Sequence, residues 1–331
     1  MDDISNRSEP APIASVVMAV YNENPKLLEV AVRSVLNQSF RDFEFVIVDD
    51  GSTLQETLTT LDRLEAEDAR IRLFKETHRG VTKTSNFGLA QARGEFVLRH
   101  DSDDWSEPNR FERQIKYLRE HPDIALVGSY TLTHQEHGTP LWVWTFPTSP
   151  EEIARILPVR NTFCNGSVCF RKREMDAIGR YREELAYSLD YDCYWRMSDR
   201  YRVANLPETL YHYRFTRKSI STSKSQEQKR CVVIAKNLAM MRQNGGVEDV
   251  PLAIRQADIW IQENRTVDLL QHADHTMLSG AHAASLMLYV RLLWLKPLSG
   301  RAWAKLCRWL LFVALPPIRQ TLFQGDFRMR Q

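Results

Sequence analysis

Residues 96–104 read Phe-Val-Leu-Arg-His-Asp-Ser-Asp-Asp, so a short apolar run leads directly into three carboxylates within four positions. So many like charges in one place are costly unless a cation lies among them. Asp101 and Asp103, two carboxylates one residue apart on a loop, suit a hard divalent metal that also contacts a phosphate. The stretch therefore predicts a strand whose carboxyl end holds a metal and an anionic ligand.

Two further polar groups follow apolar runs earlier in the chain. Residues 45–52 read Phe-Val-Ile-Val-Asp-Asp-Gly-Ser, and the valine-rich run 14–20 is followed by Tyr21, an asparagine and Glu23. Ligands of parallel α/β sheets bind just beyond the carboxyl ends of the strands. We therefore expect the three polar groups to meet in one crevice that binds a nucleoside diphosphate.

Strands and helices alternate through the first hundred residues. The segments between the apolar runs place apolar residues at helical spacing, and Ser52 and Thr82 are expected to start two of these helices. Four such alternations predict an α/β fold with a mostly parallel sheet flanked by helices. The predicted strands are residues 14–20, 43–48, 71–74 and 95–98.

The composition limits the class of protein. The chain has 331 residues, 43% of them hydrophobic, so it can bury a sizeable core. A formal net charge of +2 argues against a general nucleic-acid-binding protein, which would be strongly basic. Five cysteines without a Cys-x-x-Cys pair indicate neither a zinc site nor a disulfide framework, and they favour the reducing cytoplasm. We see no signal peptide and no run of 18 apolar residues, so no transmembrane segment is expected.

The charge distribution is uneven near the C-terminus. No Asp or Glu occurs from residue 275 to residue 325, a stretch that is predicted to be mostly helical and contains Trp294, Trp303 and several basic residues. Amphipathic, acid-free helices with tryptophans are typical of segments that lie on an anionic membrane surface. We therefore expect residues 280–320 to contact such a surface. Packing on the main domain, or on a second copy of the chain in a homo-oligomer, is the alternative.

The motifs, taken in order, resemble those of the family 2 glycosyltransferases, an inverting class with the GT-A fold. The resemblance covers roughly residues 13–221 and rests on the segments 20–23 (Val-Tyr-Asn-Glu), 48–52 (Val-Asp-Asp-Gly-Ser), 80–95, 101–104 (Asp-Ser-Asp-Asp), 108–110 (Pro-Asn-Arg), 165–171 and 190–196. It implies a flexible tail (1–12), a GT-A nucleotide-sugar-binding and catalytic domain (13–225) and a helical C-terminal region (226–331).

The resemblance also implies a reaction. A sugar would pass from a nucleotide-sugar, with a UDP-sugar favoured, to a glycan or polyprenyl-linked glycan, as in the synthesis of a surface polysaccharide. Mn²⁺ or Mg²⁺ would be the cofactor, and the enzyme would work in the cytoplasm or on the inner face of the membrane. The rivals are a catalytically silent nucleotide-sugar-binding scaffold and a nucleotidyltransferase. Residues 20–24 lack the glycine-rich, basic phosphate loop that a nucleotidyltransferase would have.

Donor-side roles follow from the resemblance. Asp103 would bind the metal, Asp101 would bind the ribose and support the metal through water, and Asp104 would position the loop. Simpler interpretations are that the aspartates form turns, the tyrosine packs in the core and the lysine is a solvated surface charge. The other residues implied to contact the donor are Tyr21, Glu23, Asp49, Asp50, Lys83 and Ser102.

Acceptor-side roles follow in the same way. Inversion requires one base on the acceptor face, and Asp190 is the candidate, with Asp192 as its competitor. Asn165, Trp195 and Arg196 would line the acceptor side. The family usually has Glu just before the base, where this chain has leucine, and many relatives have His at the position of Asn165. The simpler interpretations are carboxylates favoured by a helix N-terminus and a tryptophan in the core.

Overall fold

The structure, a computed structural model, describes residues 11–216, 223–295 and 297–314. The predicted flexible tail lies almost entirely outside these residues, as does the part of the predicted membrane-facing segment beyond residue 314. Among the described residues, no helix is both long enough and apolar enough to cross a bilayer. All five cysteines are described and unpaired, and four of them are buried.

The first four strands form the parallel half of one sheet, as the alternation of apolar runs predicts. They are β1 (Ala14–Val20), β2 (Phe43–Asp49), β3 (Ile71–Lys75) and β4 (Phe96–Arg99). Their order is β3-β2-β1-β4, and every pair is parallel. Hydrophobic clusters on both faces bury β1 and β2, so their carboxyl ends reach one edge of a covered sheet. The helices between them are α1 (Pro25–Leu36), α2 (Gln55–Glu67) and α3 (Val81–Gln91).

The second half of the sheet contains both parallel and antiparallel pairs. Its strands are β5 (Trp105–Ser106), β6 (Ile124–Gln135), β7 (Pro140–Trp144), β8 (Cys169–Arg171) and β9 (Arg202–Phe215). β8 joins β4 to β6 in antiparallel fashion, while β9 runs parallel to β6 and antiparallel to β5, and β7 forms a hairpin with β6. The α/β fold with helices around the sheet is therefore confirmed, with antiparallel strands added beside the parallel half.

The predicted helical C-terminal region is confirmed, and its first helices share the main core. Ile234, Leu238 and Ala257 lie in the same hydrophobic cluster as Val17 and Val97 of the sheet. This part of the region therefore extends the sheet's core. The helices after β5 are α4 (Arg110–Glu120), α5 (Pro150–Ile156), α6 (Lys172–Ala177), α7 (Leu189–Arg200), α8 (Ser225–Gln243), α9 (Val250–Glu263), α10 (Arg265–Leu278), α11 (His282–Leu295) and α12 (Gly300–Ala314).

A smaller hydrophobic cluster joins the last three helices to the β6–β7 hairpin and the end of β9. Met277, Tyr289 and Trp309 pack there with Trp142 and Phe215. The two tryptophans and the tyrosine bring large apolar areas to this contact, which favours a fixed position for the helices. The inner faces of α10, α11 and α12 are thus packed on the main domain.

The start of α2 differs from the sequence-based expectation. Ser52 does not cap the helix, which begins at Gln55. The side-chain oxygen of Asn22 instead accepts hydrogen bonds from the backbone N–H groups of Thr53 and Leu54, at 2.7 and 3.0 Å. In return, the hydroxyl of Ser52 accepts a hydrogen bond from the N–H of Asn22 at 2.8 Å. These hydrogen bonds therefore hold the loops after β1 and β2 together. They also give acceptors to backbone N–H groups just before α2 that would otherwise lack partners.

A buried carboxylate, Glu44 of β2, holds together the amino-terminal ends of the parallel strands. It accepts hydrogen bonds from the Ser15 hydroxyl (2.7 Å), from the backbone N–H and Nε of Arg93 (2.7 and 2.8 Å) and from Arg72 (2.6 Å). Burial alone would raise the pKa of this carboxyl, but these hydrogen bonds outweigh burial and lower the pKa. The Glu44 cluster therefore ties β1, β2, β3 and the turn before β4 together.

Replacing Glu44 with Gln should reduce the free energy of unfolding by about 2–3 kcal/mol at neutral pH, because buried donors lose a charged acceptor. Since the folded-state pKa is lowered, the carboxylate stabilises the protein above its unfolded-state pKa. The difference between wild type and variant should therefore shrink as the pH falls through the folded-state pKa. Urea unfolding at several pH values measures both effects.

The matched control is Glu208→Gln, which removes the charge of a partly exposed carboxylate that pairs with Arg113 on the surface. Such pairs contribute less than about 1 kcal/mol. Equal losses of stability in the two variants would contradict the role of Glu44.

Candidate active site

One cavity of about 1320 Å³ lies where the carboxyl ends of β1, β2 and β4 meet the helices of the C-terminal region. Sites for one small molecule usually measure roughly 300–1,000 Å³, so this cavity has room for two substrates. The predicted site residues that line it are Tyr21, Glu23, Asp50, Asp101, Ser102, Asp103, Asn165 and Asp190.

The acidic loop after β4 faces Glu23 from the loop after β1. The Ser102 hydroxyl donates a hydrogen bond to the Glu23 carboxylate at 3.1 Å. Burial raises the pKa of Asp103 well above its usual range, and the charges of Glu23 and Asp101 raise it further. The ionised carboxylates therefore repel one another, and a bound cation would stabilise them.

The carboxylate oxygens of this loop suit a divalent metal whose coordination is completed by oxygen atoms of the substrate. Within the described ranges, no three His, Cys, Asp or Glu side chains are placed to hold a metal by themselves. Mg²⁺ and similar ions are commonly bound by one or two carboxylates together with substrate phosphates and water. Asp103 and Asp101 match that pattern, because they offer oxygen ligands beside an open cavity.

Two buried guanidinium groups lie beneath the acidic loop. Arg99, which is 1% exposed, places Nη2 3.8 Å from a carboxylate oxygen of Asp101. Arg110, also fully buried, donates hydrogen bonds to the backbone carbonyls of Arg99 (2.9 Å) and Val168 (3.2 Å). Burial raises the pKa of Asp101, and these two cations oppose that rise. No role for either arginine was predicted, although an arginine inside an apolar strand just before an acidic loop is a usable signal.

Asp104 turns away from the cavity and holds the loop in place, as predicted. Its carboxylate accepts a hydrogen bond from the backbone N–H of Arg214 at 2.7 Å. The Arg214 guanidinium then donates to the carbonyl of Asp103 at 3.0 Å and lies over the Trp105 ring. The end of β9 thus holds the acidic loop in place through hydrogen bonds to Asp103 and Asp104.

Asp50 lines the cavity, but its oxygens already accept several hydrogen bonds. The donors are the backbone N–H groups of Arg79 (2.8 Å) and Gly80 (3.0 Å) and the Thr84 hydroxyl (2.6 Å). These bonds hold the segment before α3 and the first turn of that helix. Asp50 therefore holds this segment in position beside the His78 ring.

An aromatic platform stands at the mouth of the cavity. The Tyr21 ring, 48% exposed, stacks on the His78 ring with centroids 4.2 Å apart and an interplanar angle of 28°. Both residues line the cavity. A half-exposed aromatic ring here can stack on a planar ligand group, so the core-packing interpretation of Tyr21 does not hold.

Two predicted donor residues lie elsewhere. Asp49 does not line the cavity: it is buried, and its side chain accepts a hydrogen bond from the N–H of Ser52 at 3.1 Å, as an Asx-turn does. Lys83 is exposed on α3 and is not among the cavity-lining residues. For both residues the structure matches the simpler interpretation, since short-range turns and surface charges need no ligand.

Asp190 lies in the first turn of α7 and lines the cavity. Its carboxylate accepts a hydrogen bond from the Asn161 amide at 2.7 Å. Burial raises the pKa of Asp190 to about 6, although hydrogen bonds from the Tyr191 backbone and Asn161 oppose the rise. A carboxylate with this pKa is ionised at neutral pH and is a better proton acceptor than an ordinary Asp. Asn161 was not predicted, because it lies 29 residues before Asp190 in the chain.

Asn165 connects the two ends of the site. Its amide oxygen accepts a hydrogen bond from the Tyr194 hydroxyl at 2.9 Å, and its amide nitrogen lies 3.5 Å from Asp101. Gly166 beside it leaves no room for a side chain, because a Cβ atom would lie 2.1 Å from the Tyr211 hydroxyl. Asn165 therefore links the acidic loop to α7, the helix that carries Asp190.

Three predicted acceptor-side residues point into the core and not into the cavity. The buried Asp192 carboxylate pairs with Arg196 (2.8 Å) and Arg182 (3.2 Å). Trp195 is buried and packs beside Tyr191, and Arg196 also donates to backbone carbonyls. Residues two apart on a helix point in nearly opposite directions, so α7 cannot present both Asp190 and Asp192 to one ligand. The competitor base is thus a structural ion-pair partner.

Comparison with known sequences gives consistent results. The sequence model of the family described as Glycosyl transferase family 2 matches residues 15–179. The chain is 33% identical over 198 residues to the amylovoran biosynthesis glycosyltransferase AmsE of Erwinia amylovora. The aligned region covers 59% of this chain and 74% of AmsE. It is 26% identical over 218 residues to the UDP-Gal:alpha-D-GlcNAc-diphosphoundecaprenol beta-1,3-galactosyltransferase of Escherichia coli, which covers 64% of this chain and 78% of that protein.

Solved structures share the fold. The mannosyltransferase PcManGT from Pyrobaculum calidifontis, in complex with GDP-Man and Mn2+, aligns with a TM-score of 0.56 at 18% identity over 94% of this chain and 88% of that one. S. aureus TarS 1-349, in complex with UDP-GlcNAc, aligns with a TM-score of 0.56 at 20% identity over 88% of this chain and 87% of that one. These likenesses show the GT-A-like fold, and the extent of the match to AmsE shows the family. The chain belongs to glycosyl transferase family 2 and is a glycosyltransferase.

Proposed function

We propose that this enzyme moves a sugar, with inversion, from a UDP-sugar to a glycan or lipid-linked glycan in the synthesis of a surface polysaccharide. The observation that carries the proposal is that one cavity is lined by two kinds of acidic group. One is the acidic loop with Asp101 and Asp103, which suits a divalent metal, and the other is Asp190, a carboxyl group whose pKa is raised. The named activities of AmsE and of the E. coli galactosyltransferase support the acceptor class. The UDP-GlcNAc complex of TarS supports the donor class.

At the donor end, Asp103 would hold a divalent metal, and Asp101 would support it and bind the ribose. Mn²⁺ or Mg²⁺ bound there would offset the negative charge that builds up on the departing nucleoside diphosphate. Tyr21 stacks on the base at the mouth of the cavity, while Glu23 and Ser102 complete the wall beside the ribose. Asp50 holds the segment that carries His78, the partner of Tyr21.

At the acceptor end, Asp190 is the general base. As the acceptor hydroxyl oxygen forms its bond to the anomeric carbon, the carboxylate takes the hydroxyl proton. The bond from the anomeric carbon to the diphosphate oxygen breaks on the opposite face, so the configuration inverts. Asn161 orients the carboxylate through its 2.7 Å hydrogen bond. No covalent intermediate is needed.

The donor site is tested by calorimetry of UDP binding with and without Mn²⁺. We expect wild-type protein to bind UDP in a metal-dependent way, and Asp103→Ala to weaken that binding by roughly tenfold to a hundredfold, as changes at metal sites do. The control, Asp123→Ala, removes an exposed carboxylate that pairs with Arg202 at the start of β9, the opposite end of that strand from Arg214, and should bind like wild type. No binding to folded wild-type protein would refute the UDP-sugar donor.

The general base is tested by the pH dependence of sugar transfer. Activity should rise through an apparent pKa of about 6 and level off above it, because only the ionised carboxylate accepts the proton. Asp190→Asn should lower kcat by roughly a hundredfold to ten-thousandfold while UDP binding persists. Full activity of Asp190→Asn would exclude this residue as the base.

Asn161→Ala provides a sharper version of that experiment. The Asn161 hydrogen bond favours the ionised carboxylate, so its loss should raise the pKa of Asp190. We expect the rising limb of the pH profile to move upward by about one unit, the equivalent of a hydrogen bond to a charged group. A uniform loss of activity at every pH, with an unmoved limb, would show that Asn161 has only a structural role.

The enzyme also has a surface that suits a peripheral position on an anionic membrane. Trp294 is 84% exposed and Leu298 is 97% exposed, and no acidic residue occurs from His275 to the last described residue. Faces that meet water alone are normally polar, so exposed apolar faces on successive helices indicate a contact with another apolar phase. The other large hydrophobic side chains exposed on α11 and α12 are Met287, Val290, Leu295, Trp303, Leu310 and Leu311.

Vesicle flotation tests this surface. Wild-type protein should float with vesicles rich in phosphatidylglycerol, less so with added salt or with neutral lipid, and a Trp294→Glu/Leu298→Glu variant should stay in solution. Val247→Glu is the control, because Val247 is 92% exposed in the loop between α8 and α9. A wild-type dimer that the double variant dissociates, without any vesicle binding, would assign the surface to a second copy of the chain.

A further inference from the structure

We propose that His212 of β9 is a positioning residue of the donor site, which, while its ring is protonated, holds the acidic loop in the conformation that binds the donor. The inference deepens the proposed function and rests on it, because the loop from Asp101 to Asp104 is the proposed site of the metal and the diphosphate. His212 is not among the residues that line the cavity. It would therefore act through Trp105, the residue that directly follows the loop.

Trp105 is in contact with three polar side chains. Its ring is nearly parallel to the His212 ring, with centroids 4.7 Å apart and an interplanar angle of 5°. The His134 ring centroid lies 4.4 Å from that of Trp105, and the Arg214 guanidinium lies 4.7 Å from it. Along the backbone, Trp105 of β5 is the register partner of His212. A movement of the His212 ring would therefore reach Trp105, which is two residues from Asp103.

His212 is the middle member of a chain of three hydrogen bonds. His134 Nδ1 lies 3.1 Å from the backbone carbonyl of Gly138, and His134 Nε2 lies 3.0 Å from His212 Nδ1. On its other side, His212 Nε2 lies 2.7 Å from a carboxylate oxygen of Glu107. The chain thus uses all four ring nitrogens and ends on an oxygen atom at each side.

This chain needs one proton more than two neutral imidazoles carry. Each of its three hydrogen bonds contains one proton, and two neutral imidazoles supply two, since a carbonyl and an ionised carboxylate can only accept. The third proton comes from solution, and an imidazole takes it more readily than an exposed carboxylate does. The Glu107 side chain is 41% exposed. An ion pair between a His212 imidazolium and the Glu107 carboxylate therefore completes the chain.

The neighbouring groups place the extra proton on His212 and not on His134. Burial lowers the pKa of His134 to about 4, so this ring is neutral at neutral pH. The Glu107 carboxylate favours a cation at His212, whereas Arg214, two residues further along β9, opposes it. The acid of the loop beside this group, Asp104, accepts the backbone N–H of Arg214.

Loss of the third proton would loosen the acidic loop. A bare Nε2 and a carboxylate oxygen 2.7 Å apart repel each other, because both present lone pairs. The His212 ring would then turn away from Glu107, and Trp105 would lose a cation stacked on its face. Donor binding should therefore weaken as the pH rises and this proton leaves. Ionisation of Asp103 acts in the opposite direction, so the two effects are separated by comparing wild type with a His212 variant at each pH.

The experiment follows the ring and the loop by NMR and the donor by calorimetry, from roughly pH 5 to pH 9, which spans the titration of histidine. The His212 ring nitrogens and the backbone amides of residues 101–104 are observed in nitrogen-15-labelled protein without ligand. Binding of UDP with Mn²⁺ is measured at the same pH values. The variants are His212→Gln and Glu107→Gln, each checked for folding by thermal unfolding.

The matched control is His121→Gln. His121 also stacks on an aromatic ring, that of Tyr117, and its Nδ1 also lies 2.9 Å from a backbone carbonyl. It follows the last residue of α4 and is exposed. This variant should behave like wild type in every measurement.

We expect the loop amides of wild-type protein to shift with the same midpoint as the His212 ring, and this step should vanish in His212→Gln. Below the midpoint, wild type should bind UDP with Mn²⁺ roughly threefold to thirtyfold more tightly than His212→Gln, the range of a cation–π contact, and above it the two should bind alike. Glu107→Gln should move the midpoint to lower pH, because the carboxylate favours the imidazolium. Loop signals that do not follow the ring, or a constant ratio of affinities at every pH, would overturn the proposal.

Failure here is separable from failure of the proposed function, because the NMR measurements need neither metal nor nucleotide. If the loop follows the ring but UDP binds at no pH, the coupling of His212 to the acidic loop stands and the donor assignment fails. If UDP binds with Mn²⁺ but neither the loop nor the affinity follows the ring, the donor assignment stands and His212 has only a structural role.

Discussion

The arrangement of this site depends on the burial of two arginines beneath an acidic loop. Arg99 and Arg110 are almost completely enclosed, and the loop after β4 holds carboxylates whose ionisation burial opposes. The guanidinium charges offset part of the repulsion, and Arg110 ties the start of α4 to the backbone carbonyls of Arg99 in β4 and of Val168 before β8. This permanent countercharge beside the loop would leave the other carboxylate oxygens available to the proposed metal and diphosphate. The protein thus keeps an acidic pocket in shape before substrate arrives.

The sheet is parallel on one side and mixed on the other, and both halves contribute residues around the acidic loop. The parallel half delivers three polar loops to one edge, and the Asn22–Ser52 exchange and the Glu44 cluster hold that edge and its opposite. The antiparallel strands then bring residues back under and beside the acidic loop: Val168 from before β8 and Arg214 from the end of β9. A purely parallel sheet would send its next strand away from the loop through another crossover, so these contacts require the change in direction.

Sequence patterns predicted local features well and distant partners poorly. The bounds of β1 match the apolar run because burial on both faces leaves an unbroken hydrophobic signal. The loop from Asp101 to Asp104 was equally visible, since its carboxylates lie within four consecutive residues. By contrast, Asn161 and Asp190 meet across 29 residues, and no local pattern records such a pairing. Motif position also misled for Asp192, because two residues along a helix reverse the direction in which a side chain points.

The division of the cavity between two parts of the chain bears on how specificity is built. The proposed donor contacts come from strand ends, which the parallel sheet places side by side. Aromatic rings and cations elsewhere in the wall come from the end of β7, the segment after α5, the end of β9 and the chain after Ser223. The family match ends at residue 179, before most of that wall begins. Substitutions in the C-terminal helices can therefore alter the acceptor wall without disturbing the Arg99–Asp101 contact on which the donor end depends. The helices with exposed apolar outer faces also line the cavity on their inner side, so a membrane contact and an acceptor contact would be made by the same elements.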